Sequence, residues 1–141
     1  MKRVEVSGFT LVELAVVIAI FLVMIIALTP FVRMARERAN AINCADNLRK
    51  ISLGLQSYAA DNKGVFPKEL GVLYPNYVKE KTAFDCPSAK SEGTPERPEY
   101  KYFAGLTEES GPKEILAEDF DGNHGKSGKN VLKVGGAVDW Q

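Results

Sequence analysis

FTLVELAVVIAIFLVMIIAL, residues 9 to 28, is a 20-residue run in which only Thr10 and Glu13 are polar. At 1.5 Å per residue, about 20 helical residues match the roughly 30 Å hydrocarbon core of a bilayer. The run is therefore long enough to span one. A removable secretory signal would have a shorter apolar region of about 7 to 15 residues and then a small-x-small cleavage site. Here Leu28 is followed by Thr29-Pro30-Phe31-Val32-Arg33, which offers no such site. Lys2 and Arg3 precede the run and favour a cytoplasmic amino terminus, whereas Arg33, Arg36 and Arg38 on the far flank point the other way. Charge alone leaves the orientation open.

Outward from this stretch the character of the chain changes. The 141 residues are 45% hydrophobic, an ordinary value if evenly spread, but the apolar residues crowd between Phe9 and Val32. From Arg33 onward the sequence is polar and carries most of the Gly and Pro. Eighteen basic and eighteen acidic residues cancel, so no strong net field draws the chain to nucleic acid or anionic lipid. Three segments follow: residues 1–8, residues 9–32 and residues 33–141.

The helical pattern does not stop at Pro30, although proline removes a backbone donor and crowds the preceding turn. Met34, Ala41, Cys44, Leu48, Ile51, Leu55 and Tyr58 lay an apolar stripe along a second helical half, with 3,4,3,4,3 spacing from Ala41. Arg36, Glu37, Arg38, Asn40, Asn43, Asp46, Asn47, Arg49 and Lys50 fall mainly off it. The helix is expected to be loosened at Pro30 and to stop near Asp61-Asn62-Lys63-Gly64. From Phe9 to Asp61 that is 53 residues, about 80 Å if continuous. Val65 to Pro98, rich in Pro and Gly, reads as an ordered loop with at most one short helix near Lys68 to Tyr74. Its Val65, Phe66, Leu70, Leu73, Tyr74, Tyr77 and Phe84 are expected to cover the stripe. Strand patterns follow at Tyr100–Leu106, Glu114–Glu118, Val131–Val134 and Ala137–Trp140, the last two joined by a two-residue hairpin at Gly135-Gly136. The expected fold class is α+β: a long amino-terminal helix, half for membrane and half amphipathic, packed on a small antiparallel sheet.

Gly8-Phe9-Thr10-Leu11-Val12-Glu13, set between a short charged leader and an uninterrupted apolar helix, resembles the processing signature of type IV prepilins and of the pseudopilins of type II secretion. The resemblance implies residues 1–8 as a leader, cut by a membrane aspartyl peptidase between Gly8 and Phe9. It also implies methylation of the new amine at Phe9 and export of residues 33–141 to the periplasm or beyond. Pro30, 21 residues after Phe9, stands where many members of that family carry a helix-loosening proline. The implied function is structural: a subunit held in the inner membrane and packed by its helix into a filament with like subunits by a membrane assembly platform. A pseudopilin is expected first, a true pilus major or minor pilin second, and a single-span anchored binding protein that never assembles third.

Glu13 has a physical reading of its own. A carboxylate within an apolar helix costs roughly 2.5 to 3.5 kcal/mol on insertion scales, and such residues usually have a partner or a role. The Phe9 amine of a neighbouring subunit would be that partner. A hydrated Glu13 at the cytoplasmic interface is the plain alternative. Cys44 and Cys86 are too few for a disulfide framework and lack the short pairwise spacing of a zinc site. In the oxidising compartment that the resemblance implies, they are expected to form a disulfide, since Cys44 lies on the stripe and Cys86 in the loop that should cover it; two buried free thiols are the alternative.

Asn47-Leu48, Tyr58, Asp61-Asn62, Gly64-Val65-Phe66-Pro67, Phe84-Asp85-Cys86-Pro87 and the closing Gly-Gly-Ala-Val-Asp-Trp more loosely resemble major-pseudopilin-like proteins. That likeness implies calcium in a carboxyl-terminal loop. Asp119-Phe120-Asp121-Gly122-Asn123 repeats the opening of a calcium loop, with Asp119, Asp121 and Asn123 as candidate ligands, joined by Glu118 or Asp139. The match then breaks, because His124 replaces the loop glycine and Asn130 the closing glutamate. An acidic solvated turn fits the same residues. No catalytic constellation accompanies His124, the single histidine, which reads as a solvated or hydrogen-bonded loop residue. Tyr100, Tyr102 and Trp140 read as core or sheet-face residues. Nothing in the pattern calls for an enzyme or a nucleic-acid partner.

Overall fold

The computed structural model describes residues 9–125 and 127–141. The Gly8 side of the expected cleavage point and the leader lie outside the described residues. The chain divides into two compact units at Arg36/Glu37.

One helix, α1 (Leu11–Asp61), runs through Pro30. Thr10 stands before it and Glu13 in its first turn, and the two close a reciprocal capping box. Glu13 Oε2 accepts from Thr10 N (2.9 Å) and Thr10 Oγ1 (2.8 Å), while Glu13 N donates to Thr10 Oγ1 (3.3 Å). At the other end Gly64 N donates to Ala59 O over 2.8 Å. Lys63 adopts the left-handed conformation, with φ of 56°. This is the six-to-one bond of a Schellman stop, with a lysine where glycine is usual. The expected terminator Gly64 follows it, also at positive φ.

In the unit from Glu37 onward, the stripe is the buried face of α1. Cys44, Leu48, Ile51, Leu55 and Ala59 are fully buried. Met34, placed on the stripe by spacing, is instead exposed, because it precedes the part of α1 that the core reaches. Phe66, Leu70, Leu73 and Phe84 join the core, and Tyr74 and Tyr77 pack at its edge, but Val65 is exposed. The covering segment holds two 3₁₀ turns, Leu70–Leu73 and Lys81–Phe84, where one short helix was expected. It is pinned by polar ties. Asn47 Nδ2 donates to the carbonyls of Asp85 (2.8 Å) and Thr82 (3.2 Å), and the hydroxyls of Tyr100 and Tyr102 reach Asp85 O and Pro67 O.

The fold class is α+β, as expected. The sheet is an antiparallel meander of β1 (Tyr100–Tyr102), β2 (Ile115–Asp119), β3 (Asn130–Lys133) and β4 (Val138–Trp140), in that order. Register pairs Tyr100 with Asp119, Ala117 with Leu132 and Asn130 with Trp140. Alternation along a strand therefore gathers Tyr100, Tyr102, Ala117, Asp119, Asn130, Leu132 and Val138 on the face covered by α1. Lys101, Glu118, Val131 and Asp139 lie on the other. The final hairpin differs from the expected two-residue turn. Gly136 N donates to Lys133 O and Lys133 N to Ala137 O, both over 2.8 Å, leaving three residues in the loop. Gly136 takes the left-handed position with φ of 83°, as a type I turn closed by a glycine bulge requires.

Candidate functional site

Two parts of the molecule carry chemistry beyond core packing. The first is the outward surface of α1 before Arg36. Phe9 and the large apolar side chains from Leu11 to Val32 are exposed throughout, and the stretch is long and apolar enough to cross a membrane. Such a surface in water would cost on the order of 25 cal/mol per Å², so it belongs against lipid or other apolar helices. This much is compatible with a single-pass membrane protein. Glu13, the acidic residue in its first turn, is exposed and held by the Thr10 box. The box was written in the sequence as Thr10-x-x-Glu13, a pattern distinct from the processing signature that overlaps it. A partner for Glu13 within its own chain is thus available without any neighbour.

The second part lies beneath the β2–β3 connection. Cys44 of α1 and Cys86 of the covering segment are joined in a disulfide, their Cα atoms 5.3 Å apart. Against it sit Asp119, at the end of β2, and His124, both buried. His124 Nε2 is 3.1 Å from Asp119 Oδ2 and 3.6 Å from Cys86 Sγ. Asn130 donates its backbone N–H (2.9 Å) and Nδ2–H (2.8 Å) to the same Asp119 oxygen, and a further Nδ2–H to Ala41 O on α1 (3.0 Å). The indole of Trp140 meets the His124 ring edge-on at 5.6 Å. Of the two readings of His124 given by sequence, the hydrogen-bonded one holds and the solvated one does not. Of its partners only Asp119 is near in sequence, while Cys86 and Trp140 come from distant segments for which local sequence carried no signal.

The candidate calcium residues go to different partners. Asp119 is fully buried and turned to His124 and Asn130. Asp121 is exposed and lies 3.0 Å from Lys129 Nζ, which also sits 3.0 Å from Glu118 Oε2. An ammonium thus occupies the place between two of the proposed carboxylates. Hydrogen bonds to Asp121, and then to Glu118, raise its pKa and keep it charged. Asn123 Nδ2 is buried without a hydrogen-bond partner among the described residues. Asp139 pairs with Lys133 on the last hairpin.

Comparison with protein-family models, curated proteins and solved structures gave no match.

The family reading therefore rests on the processing signature and on the fold, one long apolar helix with a small antiparallel sheet. That fold is consistent with a pilin-like protein. The same description would suit any α+β domain on a membrane helix.

Proposed function

We propose that this chain is a structural subunit of a type IV pilus-like filament, cut by a prepilin peptidase between Gly8 and Phe9 and methylated at Phe9. Within that class it is a type II secretion pseudopilin, ahead of a major or minor pilin of a surface pilus. Its partners are like subunits, the peptidase and an inner-membrane assembly platform, with residues 33–141 in the periplasm or outside. The observation that carries the reading is an apolar helix whose large side chains from Leu11 to Val32 are exposed among the described residues, bearing one carboxylate in its first turn. Lipid solvates that helix in storage, and neighbouring helices replace lipid on assembly. Both bonds that the Glu13 carboxylate accepts in the Thr10 box go to Oε2. Oε1 can then meet the amine of Phe9 from the next subunit while the cap stays closed.

The same box favours a second reading. A carboxylate satisfied inside its own chain needs no neighbour, and a single-span anchored binding protein would then suffice. Glu13→Ala distinguishes the two. Assembly predicts a variant that still inserts in the membrane but fails to cross-link between subunits or to enter filaments. An anchored monomer predicts that parent and variant alike stay uncross-linked.

A further inference from the structure

Four donor groups of the kinds that hold zinc meet in the core under the β2–β3 connection. They are Sγ of Cys44, Sγ of Cys86, a ring nitrogen of His124 and a carboxylate oxygen of Asp119, all within 4.8 Å of one another and all on buried residues. A disulfide is apolar and needs no such neighbours. Burying a carboxylate and an imidazole is costly unless their polar atoms are matched. The matching is incomplete here, since Asp119 Oδ1 and His124 Nδ1 are buried without a hydrogen-bond partner among the described residues. Core packing alone does not account for a buried Cys-Cys-His-Asp set whose donor atoms converge in this way.

We propose that the reduced chain binds one zinc ion at this place, through the thiolates of Cys44 and Cys86, His124 and Asp119. Disulfide and metal are then alternative cross-links between α1, the covering segment and the sheet. The inference is independent of the filament reading. Zinc takes sulfur at about 2.3 Å and nitrogen or oxygen at about 2.0 to 2.2 Å in a tetrahedron, which puts S and N roughly 3.6 Å apart and N and O roughly 3.4 Å apart. Cys86 Sγ to His124 Nε2 is 3.6 Å, and His124 Nε2 to Asp119 Oδ2 is 3.1 Å. Two edges of the tetrahedron are near their bound lengths, and the bonded sulfurs would separate to roughly 3.8 Å. Asn130 supplies the outer support that ligating carboxylates usually have, fixing Asp119 through two N–H bonds and itself through Ala41 O.

The chemistry balances with a dithiol reductant. It gives two electrons and two protons to the Cys44–Cys86 bond and becomes a disulfide itself, while S–S breaks and two S–H bonds form. Zinc then displaces both thiol protons to solvent. His124 Nε2 and Asp119 Oδ2 supply the other two ligand atoms, and the proton that Nε2 shares with Asp119 in the oxidised chain passes to Nδ1. In the oxidised chain both thiolates are gone, and a two-ligand Asp–His pair remains.

The test uses the full chain in detergent micelles, oxidised or reduced with dithiothreitol and then freed of reductant under argon. Zinc content after equilibrium dialysis is measured, and cobalt(II) is added in parallel. The expected result is one zinc per reduced chain and none per oxidised chain. Cobalt should give tetrahedral d–d bands with thiolate charge transfer, and should quench Trp140, the single tryptophan, through the adjoining His124. Asp119→Asn keeps an acceptor for Asn130 yet should weaken zinc at least about tenfold, and Cys44→Ser with Cys86→Ser should abolish it. Equal zinc in oxidised and reduced chains would overturn the proposal. So would a reduced chain that binds none, whether or not it keeps a cooperative melt, or Asp119→Asn and His124→Ala chains that bind like the parent.

Discussion

Reducing the Cys44–Cys86 bond in the presence of a chelator isolates what the cross-link contributes to the domain. The two residues are 42 apart in sequence, and for a closed loop of that size the chain-entropy model gives about 4 kcal/mol. Little should be lost on the native side. Both sulfurs stay in a core completed by Leu48, Phe84, Tyr100 and Ala117, and reduction deletes no atoms that would leave a cavity. The effect should therefore sit in the unfolded chain, which gains freedom that the bond had removed. Domains of this size are stable by about 5 to 15 kcal/mol, so the reduced form should be folded but marginal. A fragment starting at Arg33 keeps every residue of the core cluster and suits urea and thermal unfolding by circular dichroism. At about 4 °C per kcal/mol for a domain of roughly this length, the melting midpoint should fall by about 15 °C on reduction, with native far-ultraviolet signal retained below it. A fall worth less than about 1 kcal/mol would mean that the bond does not restrain the unfolded chain, contrary to the chain-entropy model.

Three further outcomes follow from the packing of the domain. A Cβ on Gly93 would overlap the Phe84 carbonyl and crowd Asp85 Cα, so Gly93→Ala should destabilise the fragment by about 1 to 3 kcal/mol, read from its urea midpoint. Asn130→Ala removes the side-chain donor to the buried Asp119 oxygen and the tie to Ala41 O, while the backbone N–H bond to Asp119 survives the change. The loss should be about 1 to 3 kcal/mol, larger than for an exposed asparagine such as Asn43. Burial pushes the Tyr102 phenol up to about 12 and raises Tyr100 as well. Unfolded tyrosines ionise near pH 10, so the stability these two contribute is whole below that pH and falls as pH rises from about 10 through 12. Tyr102→Phe should flatten the alkaline decline, measured by urea midpoints across that range.

Local patterns were legible where chemistry and contact lie close in sequence. The 3,4 spacing of Cys44, Leu48, Ile51 and Leu55 named the buried face of α1, and the Gly135-Gly136 pair located the last hairpin, though not its three-residue loop. The disulfide could be argued because Cys44 sat on the stripe and Cys86 in the segment meant to cover it. Two features escaped. Thr10 and Glu13 formed a capping pattern in plain view, but a motif with a second meaning overlapped it. The burial of His124 was not legible, since it depends on the β2–β3 connection turning inward onto a disulfide formed 38 residues before it, at Cys86. The alternation of Asp119, Asp121 and Asn123 suggested one shared ion. The end of β2 divides them instead: Asp119 is still in register opposite Tyr100 on the covered face, while Asp121 already stands in the turn beside Lys129.

Cleavage between Gly8 and Phe9 is read directly by intact-mass and peptide spectrometry of protein isolated from its native membrane. The prediction is a chain that begins at Phe9 and carries one methyl group on its terminal amine. A chain that begins at Met1, or one cut beyond Leu28, would contradict it.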